Sequence, residues 1–223
     1  MANFFTSSIG KKIMMAGLGL FLIVFLLVHL GLNLLLIIFE SRDPFNIAAH
    51  FMGTNIIIKI FEVVLFGGFL LHIFYGLIVQ VQNWIARPIS YAKTYPSQTS
   101  FFSKYMIHTA VIIGVFMVIH LFDFYLKAKI FGGVPEVEIN GKIYHDLGLL
   151  VIEEFKIGWV VVFYITAFIF MGFHLLHGFQ SAFQTFGLDH KTLTPVIKAT
   201  GIVYTIFVVG GYITIPLIIY FGA

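Results

Sequence analysis

The sequence predicts an all-α integral membrane protein, a bundle of five transmembrane helices, and three observations predict it. Of 223 residues, 60% are apolar and only 10% charged, where a soluble domain carries about 25% charged residues. The apolar residues gather into five runs, each long enough for the roughly 20 residues that a bilayer core requires. Between the runs stand helix-breaking residues, and no connection is long enough to form a separate soluble domain.

The first span is expected at 13–39. Lys11 and Lys12 precede it as they would precede a signal peptide. The run is longer than an ordinary signal core, however, and no A-x-A cleavage pattern follows, so it reads as a helix that stays attached. Arg42-Asp43-Pro44 closes it. The second span is expected at 60–85, ended by Arg87-Pro88, and the third at 106–126. Gly132-Gly133 and Pro135 then open the largest connection, 127–156, in which 134–144 reads as a short hairpin turning at Asn140-Gly141. The fourth span is expected at 157–183 and the fifth at 196–220, with Thr194-Pro195 at its start.

Five spans put the termini on opposite sides. One side collects Lys11, Lys12, Arg87, Lys93, Lys104, Lys191 and Lys198; the other collects Arg42, Lys59, Lys127, Lys129, Lys142 and Lys156. The flank of the first span usually dominates orientation, which places the N-terminus in the cytoplasm and the C-terminus outside. The net charge of +3 arises from too few charges to argue for nucleic acid. With no cysteine, the chain has no disulfide, no thiolate zinc site and no cysteine-ligated iron–sulfur cluster. It also lacks a G-x-G-x-x-G dinucleotide fingerprint.

Four histidines, His29, His72, His120 and His174, lie in four different apolar runs. An ionisable side chain inside a membrane span is costly and is by default a functional candidate. Imidazole is also a ligand of haem iron. A single such histidine is more often an interhelical hydrogen-bonding residue. Four, one per span, point to a bundle holding two b-type haems, each with two histidine ligands. At 1.5 Å rise per residue, His29 and His120 lie about 22 and 21 Å from the cytoplasmic ends of their helices, and His72 and His174 about 18 and 14 Å. Depth therefore pairs His29 with His120 as the outer set and His72 with His174 as the inner set. Gly68 and Gly76 stand one turn either side of His72, and Gly178 one turn beyond His174. Such glycines let a flat macrocycle approach the backbone, or serve plain helix packing. His29 and His120 have Phe25 and Phe116 four residues before them instead.

At these residues the sequence resembles a known family. The stretches are His29-Leu30-Gly31-Leu32-Asn33, NIAAHFM at 46–52, LLHIFYG at 70–76 and, most specifically, FHLLHGFQSAFQTFGL at 173–188. They resemble the single-chain, five-helix, two-haem cytochrome b anchor of succinate:quinone oxidoreductases, which serves succinate dehydrogenases and quinol:fumarate reductases. The resemblance covers all five spans and is weaker in the third span and the 131–154 loop. It implies that His29 and His120 ligate the distal haem iron and that His72 and His174 ligate the proximal one. His177 is three residues from His174; the family spacing to Gly187 favours His174 as ligand.

The resemblance further implies the electron-transfer, quinone-reactive subunit of an enzyme whose dicarboxylate site lies on a partner. Its partners would be an iron–sulfur subunit on the cytoplasmic face and a flavoprotein subunit beyond it. The quinone would be menaquinone, reacting near the outer haem, and the setting the cytoplasmic membrane of a bacterium, with a dimer of the whole complex reasonable. Glu62, at the outer edge of the second span, is the candidate for quinone proton exchange, with pairing to Lys59 as the plain alternative. His50, Thr54 and Asn55 lie just before that span, and His50 either belongs to the quinone region or caps a loop. Arg87, Tyr91 and Lys93 on the inner side, and Arg42 or Lys127 on the outer, are plausible donors to haem propionates. Some fumarate reductases of this family carry a glutamate two residues before the fourth-span ligand, where this chain has Gly172. Two other readings compete: a di-haem cytochrome b of another quinone-linked dehydrogenase, and a haem-free transporter with histidine proton relays. The transporter reading predicts internal repeats, and the sequence contains no repeat between its halves.

Overall fold

The structure, a computed structural model, describes residues 7–86 and 105–222. Among these residues, five helical stretches are long and apolar enough to cross a membrane. The first, α1 (Ser8–Ile38), begins where Ser7 Oγ accepts from the Gly10 N–H at 3.0 Å. The capping hydroxyl sets that boundary, five residues ahead of the expected start. Likewise α3 (Ile56–Ala86) starts four residues early, because Asn55 Oδ1 accepts from the Ile57 N–H at 2.9 Å.

Two helices stand where the sequence reading expected loops. Between α1 and α3 lies α2 (Asp43–Thr54), opened by Pro44 in its first turn and by Asp43 at its positive N-terminal end. Ahead of the fourth span lies α5 (Leu147–Phe155), capped by Asp146 Oδ1 on the Leu149 N–H at 2.9 Å. Both are shorter than a membrane span, so hydropathy passes over them.

The third span is also longer than expected. Helix α4 (Met106–His120) passes without a break into a π-helix over Leu121–Phe131, which Gly132 ends at φ 71°. Charge at Lys127 and Lys129 argued for an earlier end. In the fold, Lys127 Nζ reaches Glu154 Oε2 at 3.0 Å and Lys129 Nζ donates to the Gly53 carbonyl at 3.4 Å, so the helix carries both. The expected hairpin is present: β1 (Glu136–Ile139) pairs antiparallel with β2 (Lys142–His145) through Asn140 (φ 53°) and Gly141 (φ 76°). Two consecutive positive φ values are the type I′ turn for which Asn-Gly is preferred.

The fourth span, α6 (Gly158–Thr185), is the hub and packs against α1, α4 and α7 (Leu193–Gly222). It ends in a Schellman motif: Leu188 N–H donates to the Phe183 carbonyl at 3.1 Å and Gly187 N–H to Gln184 at 3.0 Å, with Gly187 at φ 82°. Lipid is as apolar as the side chains, so helices in a bilayer associate by close fit. A Cβ on Gly211 of α7 would sit 2.8 Å from Leu30 of α1, and one on Gly201 would sit 2.9 Å from Phe179 of α6. Tyr204 and Tyr212 of α7 add hydrogen bonds to the Ile23 and Leu26 carbonyls of α1. By contrast α3 leans on α1 and α2, with Gly68 its sole buried residue among those described.

A polar knot closes the hairpin end of the bundle. Buried Asp146 takes Arg42 through both carboxylate oxygens (3.2 and 2.9 Å) and accepts from Asn46 Nδ2 at 2.9 Å. Asn46 in turn accepts from the Gly148 N–H at 2.8 Å. Three separate stretches, α2, β2 and the start of α5, are fastened at one carboxylate.

Candidate functional site

The four span histidines come together in two pairs, and they are the pairs that depth arithmetic predicts. His29 of α1 faces His120 of α4 with ring centroids 5.9 Å apart and ring planes at 85°. His72 of α3 faces His174 of α6 at 6.4 Å and 72°. With a metal–nitrogen bond of about 2 Å and each ring centre about 1.1 Å further on, two imidazoles on opposite sides of one iron have centroids roughly 6 Å apart. Among the described residues no three His, Asp or Glu side chains converge as a bare ion would need. Each pair instead offers two nitrogens, the number a haem iron takes from protein when the macrocycle fills the other four positions. Among the described residues, His120 Nδ1 is buried without a hydrogen bond, and His72 Nδ1 is buried with no well-aligned partner beyond the adjacent Met15 backbone of α1. Buried polar atoms left without partners are uncommon, and both belong to the facing pairs. The donor set and its spacing fit two bis-histidine haems.

The surroundings of the two pairs differ. Phe25 stacks on His29 at 5.3 Å and Phe116 on His120 at 5.4 Å, each from one turn back in the same helix. Tyr164, Phe168 and Tyr212 complete an aromatic shell around the outer pair. Asn33 Nδ2 donates to the His29 carbonyl at 2.8 Å and is 3.5 Å from His29 Nε2, too long to hold that nitrogen firmly. At the inner pair, Gly19 of α1 brings its backbone against the His72 ring: a Cβ there would lie 3.4 Å from Cε1. Gly68 faces Phe21 and Leu18 of α1, and Gly76 faces Met15. Gly178 faces Met106. His174 Nδ1 is 3.3 Å from Thr109 Oγ1 of α4, whereas no hydrogen bond holds the His177 ring among the described residues.

At the hairpin end, Glu62 does not pair with Lys59. Its Oε1 accepts from the Tyr125 hydroxyl at 2.6 Å, across from α3 to the π-helical segment. That segment also carries Asp123, whose Oδ2 accepts from the buried Tyr164 hydroxyl at 3.1 Å. Short π-helical insertions are frequent at functional sites, and this one aims two carboxylate–tyrosine contacts at different neighbours. His50 is exposed on α2, with its ring edge-on to Tyr144 of β2 at 5.0 Å, while Thr54 donates to the His50 carbonyl. Of the outer cations considered as propionate donors, Arg42 is held by Asp146 and Lys127 by Glu154. Arg87, Tyr91 and Lys93 lie outside the described residues. Gly172 faces α7, and a Cβ there would lie 3.3 Å from the Val209 side chain, which would have to give by a few tenths of an ångström.

The sequence reading missed Thr109, Tyr125, Asp123 and Tyr164. Asp123 carried a usable signal, being an acid inside the expected third span. The other three are ordinary in a span until their partners are known. No family model, curated protein or solved structure matches the chain.

Proposed function

We propose that this chain is the di-haem cytochrome b membrane anchor of a succinate dehydrogenase or fumarate reductase complex. The observation that carries the reading is the arrangement of four span histidines as two facing pairs, at 5.9 and 6.4 Å. His29 and His120 would hold the outer haem iron, and His72 and His174 the inner one. The haems would supply one-electron transfer along the bundle, between an iron–sulfur subunit docked at the cytoplasmic end and a membrane quinone near the hairpin end.

The chain's own residues would do the rest. Phe25 and Phe116 set the rotation of the outer imidazoles by stacking on them. Among the described residues Glu62 has no cationic partner and accepts one hydrogen bond from a hydroxyl, which leaves its second oxygen able to exchange a proton with a quinol. Tyr125 fixes the direction of that carboxyl. The resemblance of the 173–188 stretch to the anchor family supports the choice of partners and of menaquinone.

The test is a dithionite-reduced minus oxidised optical spectrum of the purified chain, with haem counted per polypeptide. Two b-type haems are expected, one of them lost in His72→Ala or His174→Ala and the other in His29→Ala or His120→Ala. A chain with no haem would overturn the reading.

A further inference from the structure

Among the described residues, His174 is the span histidine whose ring nitrogen meets a hydroxyl from another helix. Thr109 is 5% exposed, in the first turn of α4. Its Oγ1 donates to the Met106 carbonyl at 2.8 Å and lies 3.3 Å from His174 Nδ1. A threonine hydroxyl has one proton and two lone pairs. The proton is committed to Met106, so only a lone pair faces the imidazole. This arrangement calls for the proton of His174 on Nδ1 and leaves Nε2 as the bare nitrogen.

A metal takes a neutral imidazole through its bare nitrogen, and a hydrogen bond from the opposite N–H fixes the ring and strengthens it as a donor. Resting on the haem reading above, we propose that Thr109 is the positioning residue for the inner haem ligand His174, holding its Nε2 free for iron. Among the described residues neither His72 nor His120 meets a side-chain hydroxyl at Nδ1, and His72 lies against the Met15 backbone instead. The inner site is thereby built asymmetrically, with one ligand held by a hydroxyl and one held by packing. The same contact separates His174 from His177, which has no such acceptor among the described residues.

The experiment compares Thr109→Val and Thr109→Ser in the full, haem-loaded chain. Thr205→Val is the control, a buried hydroxyl on α7 with no hydrogen-bond partner. Three properties are read for each haem: midpoint potential, low-spin ferric EPR signal, and rate of haem transfer to apomyoglobin. Valine keeps the shape of threonine and removes the acceptor. In Thr109→Val the haem that His174→Ala abolishes should change alone. Its potential should rise, because a weaker donor favours ferric iron less, and its release should quicken about 10-fold. Thr109→Ser should restore both, and Thr205→Val should leave both haems as they are. Two haems that are unchanged in Thr109→Val overturn the inference and leave the haem reading intact. Equal shifts in both haems, or no rescue by serine, also overturn it, since either marks general loosening of the bundle. A wild-type chain without haem overturns both readings.

Discussion

Glu62 and Tyr125 show how much a single contact changes the meaning of a residue. An acid beside Lys59 at a membrane edge would be an ordinary surface ion pair. Instead its carboxyl is half-buried and faces a tyrosine hydroxyl at 2.6 Å. Losing a general base costs about 10²–10⁴-fold in rate, so Glu62→Gln should lower quinol-dependent turnover by about 10²-fold or more. The haem spectrum should not change, and steady-state assay beside an optical spectrum checks both. Tyr125→Phe removes only the orienting donor and should cost less. The span histidines were legible in the sequence because a titratable ring in an apolar run stands out on its own. Thr109 and Tyr125 were not, because their partners lie 65 and 63 positions away and an isolated hydroxyl in a span carries no signal.

At the scale of elements, the short helices α2 and α5 at the hairpin end depend on the Asp146 knot. Burial by itself would favour a neutral carboxyl. The hydrogen bonds from Arg42, Asn46 and the Leu149 N–H outweigh it and hold Asp146 below the usual carboxylate range. A carboxyl that is more acidic folded than unfolded stabilises the fold fully above its unfolded value of about 4. That contribution is lost as pH falls through the lowered value, so acid should loosen the hairpin end first. Asp146→Ala should act like acid at every pH and cost about 1–3 kcal/mol, less than a fully buried pair because Arg42 is 42% exposed. Faster protease cleavage within the hairpin would report both effects. The approach of α7 to α1 is a second element-scale constraint. Gly211→Ala would press on Leu30, which is fully buried, and should destabilise by about 1–3 kcal/mol, read as earlier thermal unfolding. Hydropathy located the spans but not all their ends, because caps at Ser7 and Asn55 set two of those, and each depends on one side-chain oxygen. The switch to π-helical winding after His120 left no mark on hydropathy, which reads the third span straight through its start.

For the whole molecule, five spans predict that the 186–192 turn and the hairpin face opposite sides of the membrane. The absence of native cysteine makes the test direct, since any single introduced thiol reports alone. Lys191→Cys should react with an impermeant maleimide only after the membrane is opened, and Lys142→Cys should react in intact cells; the reverse result would invert the orientation. By itself the sequence determined that the chain spans a membrane, how many times, and which histidines share a depth. Insertion depends on about 20 consecutive apolar residues, and depth on a fixed rise per residue, and both can be read along one strand of text. Only the tertiary structure decided that Glu62 meets Tyr125, that Thr109 meets His174, and that Asp146 gathers Arg42 and Asn46. Those contacts depend on the rotation of each helix about its axis and on how closely the backbones approach, which small residues such as Gly211 and Gly201 permit.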